Sequence, residues 1–458
     1  MAKMERQHPL ELELELRRTT FSEVSGGFDP ARARLEADRC LNCKNAPCRR
    51  GCPVGVDIPG FIRKLKEGDA EGALSVIRQT NNLPAVCGRV CPQEHQCEAL
   101  CVRGRMEGPV AIGTLERYAA DHGGNPKDAP KKPNGRKVAV VGSGPAGLTC
   151  AADLAKAGTA VTVFENLHRP GGVLVYGIPE FRLPKDLVQR EIEGLTDLGV
   201  TFRLNTVAGK TVTLEQLRRD FDAVFLGTGA GLPMFLNIPG ENLNGVCSAN
   251  EYLTRINLMK AYLPDAVTPV QRGKQVIVVG AGNVAMDAAR TAVRMGAERV
   301  TVVYRRGREE MPARREEVRH AEEEGVVFCL LSNPVEVLGR DRVEAVRCIR
   351  MELGEPDASG RRRPVPVPGS EFEIPCDMLI VSLGTVPNPM LKEGCPDLAV
   401  TPKGTLEVDD DLATSLPGVF AGGDAVTGAA TVILAMGAGK KAAQSILRYL
   451  DVQDGAQS

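Results

Sequence analysis

The sequence predicts an α/β fold in which a helical, cysteine-rich segment precedes two strand–turn–helix–strand units, the second inserted into the first. Three observations carry this. Glycine-rich turns at 142–147 and 280–285 each follow an apolar run and open a helical pattern. A Gly-Gly-Asp turn at 422–424 follows a further strand-like run near the C-terminus. Eight of the fourteen cysteines lie between Cys40 and Cys101.

Length and composition set the limits. A chain of 458 residues suggests about three domains at ~150 residues each. Hydrophobic residues make up 43% and charged residues 25%, the balance of a soluble globular protein. A net charge of −1 gives no global attraction to nucleic acid or to an anionic membrane. The start, MAKMERQHPLELELELRR, has no apolar core of signal-peptide length and reads as neither signal nor anchor. No stretch approaches the roughly 18 uninterrupted apolar residues of a membrane helix. A cytoplasmic location is expected, and a reducing compartment argues against structural disulfides.

The elements follow in chain order. ELELEL at 11–16 alternates like a strand and is a candidate partner contact. Next come two cysteine groups. One is C-x2-C-x4-C-x3-C, at Cys40, Cys43, Cys48 and Cys52; the other is C-x3-C-x5-C-x3-C, at Cys87, Cys91, Cys97 and Cys101. Structural zinc favours two short pairs set apart by a longer spacer. Iron–sulfur ligation tolerates close runs, and the bacterial ferredoxin run also ends in Cys-Pro. Both groups here carry a Cys-Pro, at Cys52-Pro53 and Cys91-Pro92. The spacing therefore favours iron–sulfur over zinc. The remaining six cysteines are scattered and read as buried small hydrophobes.

Between the two groups, IPGFIRKLKEGDAEGALSVIRQ repeats its apolar residues at helical steps. Residues 121–137, dense in Gly, Pro, Asn and Lys, read as a linker.

The first unit is KVAVVGSGPAGLTCAADLAKAGTAVTVFE. Gly142 allows a tight turn, Gly144 lets backbone approach a pyrophosphate, and Gly147 lets helix and strand pack closely. The helix N-terminus attracts the phosphates. Glu165, at the end of the second strand, can accept from ribose hydroxyls. The second unit, QVIVVGAGNVAMDAARTAVRMGAERVTVVYRR, has Gly280, Gly282 and Asn283 in its turn. Its second strand ends in Tyr304, Arg305 and Arg306 instead of an acid. A guanidinium pairs with a 2′-phosphate that a carboxylate would repel, so this site favours NADP over NAD. At the third turn, Gly423 permits close backbone approach and Asp424 can accept from a ribityl hydroxyl. The helix that begins near Thr431 can face a flavin edge.

The expected division is 1–134 for the helical cysteine domain, 135–244 with 373–458 for the first Rossmann-like domain, and 245–372 for the second. Two such domains can bring a flavin and a nicotinamide face to face, and the cofactors then hold the chemistry. No side chain is nominated as catalytic. A disulfide reductase would need a thiol pair beside the flavin. VLVYGIPEF, after Gly171-Gly172, has no cysteine, and 245–372 has no C-x-x-C. A non-enzymatic scaffold is the remaining alternative of another class. Charged residues dominate ERVTVVYRRGREEMPARREEVRHAEEEG, which reads as an exposed helix face with His320 on the surface. Arg361, Arg362 and Arg363 read as a solvated hairpin.

Taken together, CGRVCPQEHQCEALC, GPVAIGTLERY, GSGPAGL, RPGGVLVYGIPEFRLPK, GAGNVAMDAAR, YRRGREEMPAR, LGEPDASGRRRP and PGVFAGGDAVTGAATVILAMGAGKKAA carry a resemblance. The chain resembles the small subunit of NADPH-dependent glutamate synthase, in its shorter, so-called homotetrameric branch. That branch includes the large subunit of NADH-dependent ferredoxin:NADP oxidoreductase, and the N-terminal half of dihydropyrimidine dehydrogenase is similar. The resemblance implies FAD at the first unit, with Gly172 and Val432 joining its site, NADPH at the second, and two [4Fe–4S] clusters. It implies that ligands cross between the cysteine groups: Cys40, Cys43 and Cys48 with Cys101, and Cys52, Cys91 and Cys97 with Glu116. Counting alone would use all eight cysteines; the resemblance leaves Cys87 over. It also implies an NADPH-dependent oxidoreductase subunit that hands electrons to a second flavoprotein in a hetero-oligomer. That partner is an FMN-bearing amidotransferase large subunit in glutamate synthase, or a small ferredoxin-reductase-like subunit in an electron-bifurcating enzyme.

Overall fold

The computed structural model describes residues 4–124, 132–358 and 360–457. Residues 125–131 of the expected linker lie outside them.

Two five-stranded parallel sheets organise the chain. In the first, the order is Val419–Ala421, Ala223–Leu226, Lys137–Val141, Ala160–Phe164, Thr201–Arg203. In the second it is Val327–Leu330, Arg299–Tyr304, Gln275–Val279, Met378–Val381, Val246–Ser248. The glycine-loop strand is central in each, and its valines are buried on both faces, as parallel strands require. The first sheet thus takes its edge strand from the far side of the second, which makes the second an insertion. The chain leaves the second sheet only after Val381, beyond the expected boundary at 372. Met378–Val381 is fully buried between Gln275–Val279 and Val246–Ser248.

Between Leu330 and Met378 lies an antiparallel layer of Ser332–Leu338, Ala345–Pro356, Arg362–Pro366 and Phe372–Pro375. The arginine-rich turn thus begins a strand of this layer.

The helical patches expected ahead of the linker are Ile58–Lys66 and Ala70–Arg78. Gly68, at φ +78°, and Asp69 separate them, and the Asp69 carboxylate accepts from the Gly72 N–H at 2.7 Å. Pro84–Val90 and Ile112–His122 complete a core around Phe61, Ile77, Leu83 and Leu115. Inside it Arg39 and Glu36, both wholly buried, pair at 2.6 Å. Arg39 also donates to the carbonyls of Glu107, Gly108 and Pro109. Removing one partner of such a buried pair costs about 3–5 kcal/mol.

Two surface expectations fail. His320 is buried, because the N-terminal segment covers its helix and sets Glu11 Oε1 3.1 Å from its Nε2. ELELEL is not one strand. Leu10–Glu11 pairs with Ser25–Gly27, after which Leu14–Arg17 turns helical so that Arg17 reaches both Glu11 and Glu323.

Ion pairs tie the three parts together. Arg182, from the first Rossmann-like domain, meets Asp287 at 2.6 Å and Glu317 at 3.2 Å in the second. Arg314 of the second donates to Arg89 O and Gln93 Oε1 in the helical domain, at 2.9 and 3.0 Å. Among the described residues no helix is long and apolar enough to cross a membrane.

Candidate functional site

The loop 40–52 winds tightly. Asn42 and Ala46 adopt left-handed φ values of 48° and 33°, and Pro47–Arg50 makes one helical turn. This turns Cys40, Cys43 and Cys48 toward one pocket, whose fourth thiol is Cys101. Ile58, Ile62, Val110 and Ile112 form its apolar wall. Burial, with Cys101, Cys40 and Cys43 close by, pushes the Cys48 thiol up to about 11. The Val110 N–H points at Cys101 Sγ at 3.5 Å, and bonds of this kind tune a cluster's potential.

Cys52 turns away from that pocket. Burial pushes its thiol up to about 11, and its charged neighbours are Glu116 and Cys91. Cys97 is also pushed well up by burial, with Glu98, Glu116, Cys91 and Cys52 around it. The structure therefore brings Cys52, Cys91, Cys97 and Glu116 together. Glu116 is buried, which pushes its carboxyl up to about 7. Asn81 Nδ2 donates to its Oε1 at 2.7 Å, and no ion pair to Glu116 occurs among the described residues. A buried carboxylate without a cation is costly, and a cluster iron would relieve it. Cys87 sits beside the same set. Its Sγ is 3.7 Å from Asn81 Oδ1 and 3.5 Å from Met436 Sδ, and it neighbours Cys91. Five donors thus surround the second site.

The first glycine loop is built for close approach. A Cβ on Gly147 would lie 1.9 Å from the Gly142 carbonyl oxygen, so helix and strand could not meet with any side chain there. Gly144 faces open space. Across from it, Gly172 at φ +54° would put a Cβ 2.9 Å from Gly144 Cα. Glu165 is buried and already used. Its Oε2 accepts from the Ser143 N–H and hydroxyl at 2.9 and 2.5 Å, and its Oε1 from the Leu167 N–H at 2.8 Å. It therefore shapes the loop as well as ending the strand. Gly423, at φ +69°, brings Asp424 to the same cleft, where a Cβ on Gly423 would lie 2.8 Å from Ala146 Cβ. Asp424 Oδ1 is buried with no hydrogen-bond partner, and burial pushes the carboxyl up to about 6. A buried orphan acceptor calls for a donor, and a ribityl hydroxyl is one. The residues present fit FAD.

Val432 starts the long helix Val432–Gln457. A Cβ on Gly439 would lie 2.1 Å from Ala146 O, so this helix rests directly on the phosphate-loop helix. One turn earlier, Met436 touches Cys87, and a Cβ on Gly437 would stand 3.1 Å from Pro53 O. The same helix therefore spans from the Asp424 cleft to the residue after Cys52.

At the second loop, a Cβ on Gly280, φ +124°, would strike Ser382 O at 2.2 Å, while Gly282 is open apart from Pro312 at 4.0 Å. Asn283 Oδ1 accepts the Arg314 N–H at 2.9 Å. Arg305 is exposed. Arg306 is buried, and its guanidinium is held by Asp357 Oδ2 at 2.5 Å and Arg362 O at 2.9 Å. The two arginines therefore differ, because the antiparallel layer claims the second. Sequence reasoning gave no role to Asn81, Gln93 or Arg314. Their positions become visible only when the helical domain packs on its neighbours.

Known proteins match this layout. Residues 17–127 match the family described as dihydropyrimidine dehydrogenase domain II, 4Fe-4S cluster, and residues 136–439 match pyridine nucleotide-disulphide oxidoreductase. The glutamate synthase [NADPH] small chain of Escherichia coli (strain K12) is 40% identical, across 98% of each chain. The NADP(+)-dependent formate dehydrogenase subunit beta of Moorella thermoacetica is 44% identical over 88% of this chain, which spans 60% of that relative's length. Among solved structures, FprA from Mycobacterium tuberculosis in complex with NADPH is similar in fold, with TM-score 0.60, 23% identity, and cover of 71% of this chain and 86% of that one.

Proposed function

The chain belongs to the family of NADPH-dependent glutamate synthase small chains, and from that premise we propose that it delivers electrons from NADPH to a partner subunit of glutamate synthase. As an NADPH-dependent FAD/iron–sulfur oxidoreductase, it takes its chemistry from the bound groups, with hydride received by the flavin and single electrons carried by clusters.

In this reading the chain's own residues hold and space those groups. Gly142, Gly144, Gly147, Gly172, Gly423, Asp424 and Val432 cradle FAD, and Glu165 fixes the loop at its ribose end. Gly280, Gly282 and Asn283 receive the NADPH pyrophosphate, and Arg305 its 2′-phosphate. Cys52, Cys91, Cys97 and Glu116 hold the cluster nearer the flavin. Cys40, Cys43, Cys48 and Cys101 hold the one nearer the partner. In the domain division proposed, the second Rossmann-like domain extends to Val381, past the expected boundary at 372.

The observation that carries the reading is the helix Val432–Gln457, which leaves the Asp424 cleft and reaches Cys87 and Pro53 within two turns. It makes a short route from flavin to the buried set. Anaerobically purified protein should contain FAD and about eight irons, from two four-iron clusters. With its partner it should form glutamate from glutamine, 2-oxoglutarate and NADPH. A pull-down that recovers a small ferredoxin-reductase-like partner and no amidotransferase would contradict the glutamate synthase role.

A further inference from the structure

The strand that ends in Arg305 does not end in open solvent. The hairpin made by Ala345–Pro356 and Arg362–Pro366 runs alongside it. Together they form a groove of about 730 Å³ whose charged lining residues are Arg305, Arg306, Arg363, Glu355 and Asp357. That volume suits the end of a nucleotide.

The hairpin is fastened at two points. Arg306 bonds Asp357 and Arg362 O. Arg362 Nε meets Glu310 Oε1 at 2.7 Å, while Glu310 Oε2 accepts the Gly307 N–H at 3.1 Å, in the turn just after the strand. Arg306 and Asp357 neutralise each other. Two cations, Arg305 and Arg363, then face one carboxylate, Glu355. Arg305 and Arg363 are both exposed, and neither side chain has a hydrogen bond or ion pair among the described residues.

We propose that Arg363, carried by the hairpin, binds the 2′-phosphate of NADPH together with Arg305, and that Arg306 is a positioning residue that ties the hairpin in place. The proposal rests on the second glycine loop being the NADPH site. A phosphate dianion between two planar guanidiniums can be gripped bidentately from both sides. One exposed arginine beside a carboxylate would grip it weakly. Coenzyme choice is then shared between the Rossmann-like strand and an element outside it. A positive residue after the second strand is only half of the recognition.

The test is steady-state oxidation of NADPH and of NADH by the FAD-loaded enzyme with ferricyanide, with 2′,5′-ADP as a competitive probe. Flavin content and the thermal midpoint report folding. Arg363→Ala should lower kcat/KM for NADPH by tenfold or more, through KM, and leave NADH within twofold. Inhibition by 2′,5′-ADP should weaken in parallel, and Arg363→Lys should recover part of the loss. Arg306→Ala should give the same NADPH-selective loss without changing kcat. If Arg363→Ala keeps the NADPH preference while Arg305→Ala destroys it, the hairpin has no part and the proposal is overturned. If neither variant alters the preference, the NADPH site itself is misplaced and both readings fall.

Discussion

Cys40, Cys43, Cys48 and Cys101 are half-buried and line a pocket beside Leu41 and Val102, both exposed to solvent. Cys91, Cys97 and Glu116 are buried, beside a half-buried Cys52, under the helix that starts at the flavin cleft. The comparison shows a division of labour that proximity in sequence conceals. Cys48 and Cys52, one helical turn apart, face different sites. The surface set suits an exit for electrons and the buried set an entry.

The largest effects should come from breaking one set at a time. Cys43→Ser should remove about four of about eight irons and abolish transfer to the partner, while NADPH oxidation by ferricyanide persists. Cys52→Ser should lose the other four and leave the EPR signal of the surface set intact. Equal loss of both clusters in each variant would mean a single shared site.

Glu116 and Cys87 sharpen the comparison next. Glu116→Ala should strip or alter only the buried cluster, seen as a change in its EPR signal, and Glu116→Gln, which keeps an oxygen ligand, should retain it. Cys87→Ala should keep every iron and cost about 1 kcal/mol for the small cavity it leaves, measured by thermal unfolding. Iron lost from Cys87→Ala but not from Glu116→Ala would exchange their roles.

A smaller effect concerns rates. Under air, bleaching should show two phases, the fast one missing from Cys43→Ser, because water and oxygen reach the half-buried set first. A single phase would remove the contrast in exposure. Gly437→Ala should cost about 1 kcal/mol, as little as Cys87→Ala, since its Cβ would stand 3.1 Å from Pro53 O.

Much of this was legible in the sequence. Gly142, Gly147, Gly280 and Gly423 each have a physical reason in the fold, most directly Gly147 and Gly280. Cysteine density pointed to iron–sulfur ligation, because few other demands put eight thiols in so short a stretch. The expectation that ligands cross was not written in the spacing; it came from resemblance, since spacing cannot say which way a side chain turns. Glu116 had nothing local to separate it from a surface carboxylate; only its burial against Asn81 does so. His320 was misread because the charged pattern of its helix looks solvated until the N-terminal segment covers it. Arg306 was read as a phosphate ligand with no sign of Asp357, which holds it in the structure and lies 51 residues away. In each case the decisive partner was distant in sequence.

The central claim is that the first cysteine run is divided between two clusters. Two double variants test it most directly, by iron content after anaerobic reconstitution. Cys48→Ser with Cys101→Ser should keep about four irons, because both losses fall on one cluster, whereas Cys48→Ser with Cys52→Ser should keep almost none. The reverse pattern, with about four irons retained when Cys48 and Cys52 are both lost, would show that 40–52 closes a single cluster and would contradict the account.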